Sequence, residues 1–203
     1  MTNMKVGTRL GLSFGAVTLL IIIVVLMAWF RLEAIESRWQ DFGKVTLMKK
    51  SAIMDGYINL GNGVHHFKNY ILRGGDYNTK FMQDMDALDK IEQAYQATGV
   101  VSAEEQKLIQ VIKEGTQDYR NGMNQLVKLK ASGADMTQLD KAVAGADKAL
   151  AAALSQFFKL TEDNVQAETE GISALVVLTQ EIMGVSGVLA IILSIILAML
   201  ITR

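Results

Sequence analysis

The chain has 203 residues, a formal net charge of −1, no proline and no cysteine, and half of it is hydrophobic. Lack of cysteine excludes a disulfide scaffold, a thiolate metal site and a cysteine nucleophile. The near-zero charge lacks the basic surplus that nucleic-acid binding needs, so no nucleic acid is expected as a partner.

Charge is unevenly placed. Residues 10–30 carry none, between Arg9 and Arg31, and residues 182–202 carry none, between Glu181 and Arg203. At 1.5 Å per residue each run spans about 32 Å of helix, enough for a hydrocarbon core of about 30 Å. Both runs are therefore expected to be transmembrane helices embedded in membrane lipid. The first exits through Ala28-Trp29-Phe30-Arg31 with no small-residue cleavage site, so it reads as an uncleaved anchor. Lys5 and Arg9 precede the first span and Arg203 follows the second, with no acid in either flank. By the positive-inside rule residues 1–9 and residue 203 are cytoplasmic, and Trp29 and Phe30 lie at the outer interface. Residues 31–181 hold all 21 acidic side chains. They face outside and are long enough to need a fold of their own.

That segment reads as four helices. Gly74-Gly75, Thr98-Gly99 and Ser132-Gly133-Ala134-Asp135 are short breaks of the kind that join antiparallel helices. The missing prolines suit long helices, because proline breaks helix interiors. Ser102 with Glu105 forms a capping box at one start, and Asp135 or Thr137 can cap the last helix. Apolar residues recur every three or four positions. In the first helix they include Leu32, Ile35, Trp39, Phe42, Val45, Met48, Ala52, Leu60, Phe67 and Ile71. In the last they include Leu139, Val143, Ala146, Leu150, Leu154 and Phe157. This is the seam of an all-α, antiparallel four-helix bundle. No breaker parts the first span from the first helix or the fourth helix from the second span, so each is expected to be continuous. Gly99 then lies near the membrane, and Gly74 and Gly133 at the far tip.

No catalytic motif is present: there is no G-x-S-x-G, P-loop or H-E-x-x-H pattern. No enzymatic activity and no cofactor are expected. His65 and His66 point about 100° apart on a helix and cannot chelate one metal ion together. Asp84, Asp86 and Asp89 are spread round their helix and read as a solvated face. One stripe is more informative. Asn62, His66, Asn69 and Arg73 follow steps of four, three and four along the first helix, with Lys68 and Tyr70 beside them. Such a polar, cationic stripe can receive a carboxylate, for which arginine offers a planar fork. In the spans, Gly7, Gly11 and Gly15, and Ser186, Ala190, Ser194 and Ala198, repeat every four residues. Small faces of this kind let membrane helices pack closely, here on each other or on a second chain.

Three stretches carry a family resemblance: the opening from Met4 through Arg9 to Gly15, the closing Leu200-Ile201-Thr202-Arg203, and His66-Phe67-Lys68-Asn69-Tyr70-Ile71-Leu72-Arg73-Gly74-Gly75-Asp76. With them the whole chain resembles the N-terminal part of a methyl-accepting chemotaxis protein with a periplasmic four-helix-bundle ligand-binding domain. The resemblance implies an inner-membrane, two-pass homodimer whose first helices pack about a two-fold axis. It implies a small ligand at the tip across that interface, and a slide of the fourth helix and second span that carries the signal inward. In the aspartate and serine receptors, arginines on the first helix hold the ligand carboxylate; this chain matches with Arg73, beside Lys68 and His66, which points to another organic acid. A full-length receptor also engages the chemotaxis kinase and its coupling protein. The HAMP domain, methylation helices and kinase-coupling tip of that family are not among these residues, so a fragment or a truncated receptor is expected. Two other outputs stay open: the sensor of a histidine kinase or cyclic-dinucleotide enzyme, and a bundle that docks a periplasmic protein.

Overall fold

The computed structural model describes residues 6–202. Lys5 and Arg203, two of the three cations that set the expected orientation, lie outside the described residues. The elements are α1 (Val6–Asp41), a π-helical turn (Phe42–Leu47), α2 (Met48–Arg73), α3 (Tyr77–Ala97), α4 (Ala103–Ala131), α5 (Met136–Ala142) and α6 (Lys148–Thr202). There is no strand among the described residues. The chain divides into two compact units, Phe42–Ala167 and the paired flanks Met1–Asp41 with Glu168–Arg203.

The first unit is an antiparallel bundle of α2, α3, α4 and a fourth arm made of α5 and the start of α6. Its turns fall where the glycines predicted them. Gly74, Gly99 and Gly133 have φ of 71°, 71° and 83°, in the left-handed region that residues with a Cβ rarely enter. We call the end where the chain enters at 42 and leaves at 167 the near end, and the end holding Gly74 and Gly133 the far end. The core is layered from the buried Ile53, Leu60 and Phe67 on α2 to Leu150, Leu154 and Phe157 on α6. Toward its far end Phe67, Phe81 and Tyr119 form a ring cluster with centroids 4.9–5.5 Å apart.

Glycines set how closely the helices approach. A Cβ built on Gly63 would lie 2.7 Å from Met85 Cε, and one on Gly56, seven residues earlier, 2.6 Å from Ile91 Cδ1. A Cβ on Gly115 would lie 3.3 Å from the backbone Cα of Leu150, so α4 and α6 nearly touch main chain to main chain. Gly63 thus sits where α3 packs, with the end of the Met85 side chain against it.

Two expectations are corrected. The first helix continues from the first span as expected, but through a π-helical turn, Phe42–Leu47, that its apolar spacing does not show. A π turn closes i→i+5 hydrogen bonds and adds a residue to the turn, which rotates everything downstream. The buried face of α2 is therefore Lys49, Ile53, Gly56 and Leu60, whereas Met48, expected in the seam, is exposed. The fourth helix is also divided. Residues 143–147 form a turn in which Gly145 has φ of 82°, and α6 starts at Lys148. The apolar spacing continues through Val143 and Ala146, and this conceals the break.

The rotation of α2 buries Lys49. Its Nζ lies 2.8 Å from both carboxylate oxygens of Glu105, with Lys49 7% and Glu105 3% exposed. Glu105 also accepts from the Ser102 backbone N–H at 2.7 Å, while its own N–H donates to Ser102 Oγ at 3.1 Å, completing the predicted capping box. Lys49 Nζ sits 5.2 Å from the Tyr95 ring centroid, and Tyr95 Oη is 3.3 Å from Thr161 Oγ1. Burial pushes the Tyr95 phenol above its ordinary pKa, against the Thr161 hydrogen bond, so it stays a neutral hydrogen-bonding group. One buried network thereby ties α2, α3, α4 and α6 at the near end. At the far end Lys130 Nζ donates to the carbonyls of Tyr70 and Ile71 at 2.8 and 2.7 Å and caps the last turn of α2.

In the other unit, Arg38 pairs with Glu168 at 3.4 Å, and Ile172 and Thr179 are buried. The hydroxyls of Thr179, Ser186 and Ser194 donate to carbonyls one turn back, at 2.6–2.8 Å. Their polar groups are thus satisfied within the helix, as an apolar solvent requires.

Two measurements test this packing. Lys49→Met strands a buried carboxylate and is expected to lower unfolding stability by about 3–5 kcal/mol in a denaturant titration. Lys49→Met with Glu105→Gln removes both charges, keeps the cap and recovers most of that loss. On α4, Gly115→Val is expected to cost about 1–3 kcal/mol by overpacking. Gly122→Ala, whose Cβ meets Ala146 Cβ at an unstrained 3.7 Å, is expected to gain about 0.5–1 kcal/mol from helix propensity.

Candidate ligand site at the far end of the bundle

The last turns of α2 carry the polar stripe, and packing divides it. Asn62 is exposed. His66 is half-buried and its Nδ1 lies 2.6 Å from Asp84 Oδ2 on α3, with the Tyr77 ring 6.1 Å away. Asn69 is buried, and its side-chain amide donates to His65 O at 3.0 Å. Tyr70 is buried under Lys130, whose Nζ is 5.4 Å from its ring centroid. Lys68 and Arg73 are exposed. Arg73 Nη1 donates to Tyr77 Oη at 3.3 Å, and neither cation forms an ion pair among the described residues. The stripe thus resolves into a part committed to packing, His66, Asn69 and Tyr70, and an exposed part, Asn62, Lys68 and Arg73.

Charge pairing shows which neighbouring cations are spoken for. Lys80 donates to Asp76 at 2.8 Å; the pairing holds Lys80 above the ordinary lysine value and Asp76 below the ordinary carboxylate value. Arg120 on α4 reaches Asp86 at 2.6 Å and Asp89 at 2.8 Å. The three aspartates of α3, expected to form a solvated face, therefore all hold partners on other helices: Asp84 on α2, Asp86 and Asp89 on α4. Sequence spacing misses this because the partners are 18 to 34 residues away.

On the other side of α2, Lys68, Ile71 and Leu72 face Met136, Thr137 and Asp140 of α5 across an open groove of about 420 Å³. Ligand pockets run to about 300–1,000 Å³. Leu139 and Val143 are buried and seat α5, and its own capping box joins Asp135 and Gln138 at 2.9 and 3.0 Å. None of the α5 residues stood out in the sequence as groove-forming. A second groove of about 440 Å³ lies between α3 and α4, crossed by Lys113–Glu92 at 2.8 Å and Arg120–Asp89. No group of three or more histidine or acidic side chains is placed to hold a metal ion among the described residues.

The small faces of the spans differ from each other. Ser186, Ala190 and Ser194 are half-buried, and Ala198 is exposed. Gly7, Gly11 and Gly15 are exposed, with nothing within 4 Å of a built Cβ. Among the described residues the glycine stripe therefore packs on nothing; α1 turns Ser13, Ala16, Leu20 and Val24 inward instead.

The apolar windows of α1 and α6 have mean hydropathies of 2.7 and 2.6, and none of either window is buried. A soluble core helix would be covered, so these two helices are long, apolar and uncovered enough to cross a membrane. Comparison with curated proteins and with solved structures gave no match. Comparison with protein families gave one: a four helix bundle sensory module for signal transduction matches residues 3–175. That is a family of sensors and not of enzymes, and with its two apolar helices the chain is a transmembrane sensor. It belongs to the four-helix-bundle sensory modules of signal transduction, the type found in methyl-accepting chemotaxis proteins.

Proposed function

We propose that this chain is the sensory part of a chemotaxis receptor that binds a small extracytoplasmic carboxylate at the far end of its bundle. In this reading residues 10–30 and 182–202 cross the bacterial inner membrane, residues 31–181 lie in the periplasm, and Arg9 marks the cytoplasmic side. The observation that carries it is the pair of exposed cations, Lys68 and Arg73, without carboxylate partners among the described residues, on the helix that ends at the tip. Charged side chains left unpaired together, close to Lys80 and Arg120 that do hold carboxylate partners, favour an anionic ligand.

The same reading makes the receptor a homodimer through α2. Leu47, Met54, Gly61 and Lys68 recur every seven residues, and Ser51, Ile58, His65 and Leu72 recur every seven between them. All eight are exposed, on a face separate from the buried one. Alternating steps of four and three are the spacing of a two-helix coiled-coil seam. Two copies related by a two-fold axis would cover it, and Lys68 of each would stand at the edge of the interface.

Two outcomes are expected with the chain in lipid nanodiscs. A panel of mono- and dicarboxylates contains an acid that raises the unfolding temperature saturably, by up to about 2.7 kcal/mol of stabilisation at a hundredfold excess over Kd. Arg73→Ala removes that rise. A flat panel would transfer the function to docking of a periplasmic protein. Because the chain has no native cysteine, Ile58→Cys should cross-link between copies under mild oxidation, and the exposed control Asp118→Cys on α4 should not. Equal cross-linking at both positions would sink the α2 interface.

A further inference from the structure

His65 and His66 are the two histidines of the chain, and packing treats them differently. His66 is held by Asp84 through Nδ1. His65 is exposed. Among the described residues its ring makes no hydrogen bond and has one ring contact, edge-on to His66 with centroids 5.8 Å apart. His65 is also a seam residue. In the heptads of α2, Ser51, Ile58, His65 and Leu72 hold a positions, and Leu47, Met54, Gly61 and Lys68 hold d positions. Both copies of a membrane receptor insert in the same direction, so their α2 helices run parallel about the two-fold axis. Residues along that axis meet their own copies. Two His65 imidazoles therefore share one layer. Lys50 and Asp55 hold neighbouring g and e positions, where a parallel partner presents the opposite charge.

Gly61 supports the same arrangement. A glycine inside a helix costs about 1 kcal/mol relative to alanine. A Cβ on Gly56 or Gly63 would press on Ile91 or Met85 of α3, which accounts for those two glycines. A Cβ built on Gly61 meets nothing within 4 Å. Its missing side chain therefore has a use only outside the bundle. It lies in the d layer next to His65, where it lets two backbones approach and leaves space beside the imidazoles. In the layer on the other side, the long stem of Lys68 carries its ammonium out to the edge of the seam.

We infer that the His65 side chains of two copies bind one divalent d-block cation between them, such as Zn²⁺, Ni²⁺ or Cu²⁺, with water at its remaining positions. The inference rests on the homodimer reading of α2 and does not depend on the carboxylate ligand. Imidazole nitrogen suits these cations, whereas Mg²⁺ takes oxygen ligands. One chain alone supplies no such site: His66 is tied to Asp84, and no group of three or more histidine or acidic side chains is placed to hold a metal among the described residues. The partner copy completes the pair of ligands, so the ion binds the paired state and stabilises it by that difference in affinity.

The test is calorimetric titration of the full 203-residue chain, free of any histidine tag, in nanodiscs with Zn²⁺, Ni²⁺ and Mg²⁺, after subtraction of empty nanodiscs. Zn²⁺ and Ni²⁺ are expected to bind saturably at one ion per two chains, and Mg²⁺ to give no such site. His65→Ala should weaken Zn²⁺ and Ni²⁺ by more than about tenfold, since even an outer-shell partner of a metal is worth that much. His66→Asn, which keeps a donor for Asp84, should leave stoichiometry and affinity unchanged. His65 is exposed, and an unchanged unfolding midpoint without metal would verify that His65→Ala folds. One ion per chain, or Zn²⁺ binding that survives His65→Ala, overturns the seam site. Absence of binding, with Ile58→Cys still cross-linking above the Asp118→Cys control, overturns the site and leaves the homodimer standing. Absence of binding with equal cross-linking at both positions removes both.

Discussion

The bundle depends on a charge buried where a helix pattern calls for an apolar residue. Lys49 and Glu105 meet at 2.8 Å with almost no water around them. Each partner is held by more than the other: Glu105 by the Ser102 amide of its capping box, Lys49 by the face of Tyr95. Removing two charges from water costs several kcal/mol per ion, which only good geometry and further hydrogen bonds offset. A pair of this kind tolerates few alternatives. It fixes the start of α2 against the start of α4, and with them the register of every layer above. The π-helical turn immediately before Met48 is what aims Lys49 inward, so turn and pair belong to one arrangement.

Above that pair, close packing is reached with small residues. Gly56 and Gly63 let α3 lie against α2, and Gly115 lets α6 lie against α4. The two glycine-lined contacts leave the α3–α4 and α2–α5 boundaries to other devices. Ion pairs cross the first, Arg120 and Lys113 reaching the acids of α3. The second stays open as a groove. The bundle thus closes tightly along two boundaries and loosely along the others without sacrificing its core.

Helix α2 consequently carries three surfaces. Its inner face is core, its outer face repeats in heptads, and its last turns hold the unpaired cations. A sensor needs such crowding, because a ligand shifts an equilibrium only as far as it binds one state better than another. In the proposed reading, ligand contacts on the helix that also sets the bundle register would couple binding to packing directly. The turn at residues 143–147 matters for the same reason: α5, which walls the groove, is joined to α6 only through it.

How much of this was legible in the sequence follows from the range of each interaction. The two charge-free runs, the glycine turns at Gly74, Gly99 and Gly133, and the Ser102–Glu105 box are all local. They were readable because helix length, left-handed φ and a three-residue hydrogen bond are properties of short stretches. The family resemblance likewise drew on short stretches, and the family match covers residues 3–175, which hold the opening and the His66–Asp76 stretch but not Leu200–Arg203. The π turn was hidden, since one extra residue in a turn leaves the apolar spacing almost intact. Lys49 leaves no mark in the sequence, because a lone lysine is ordinarily exposed and its carboxylate is 56 residues away. His66 and Asn69 looked available beside Arg73, yet the first is held by Asp84 and the second is buried. Sequence by itself determined that this is a helical, membrane-anchored bundle with cations at its tip. Only the tertiary structure decided which of those cations remain unpaired and that Lys68 shares a groove with Asp140. Pairing between charges far apart in the chain is a property of packed helices and leaves no mark on either helix alone.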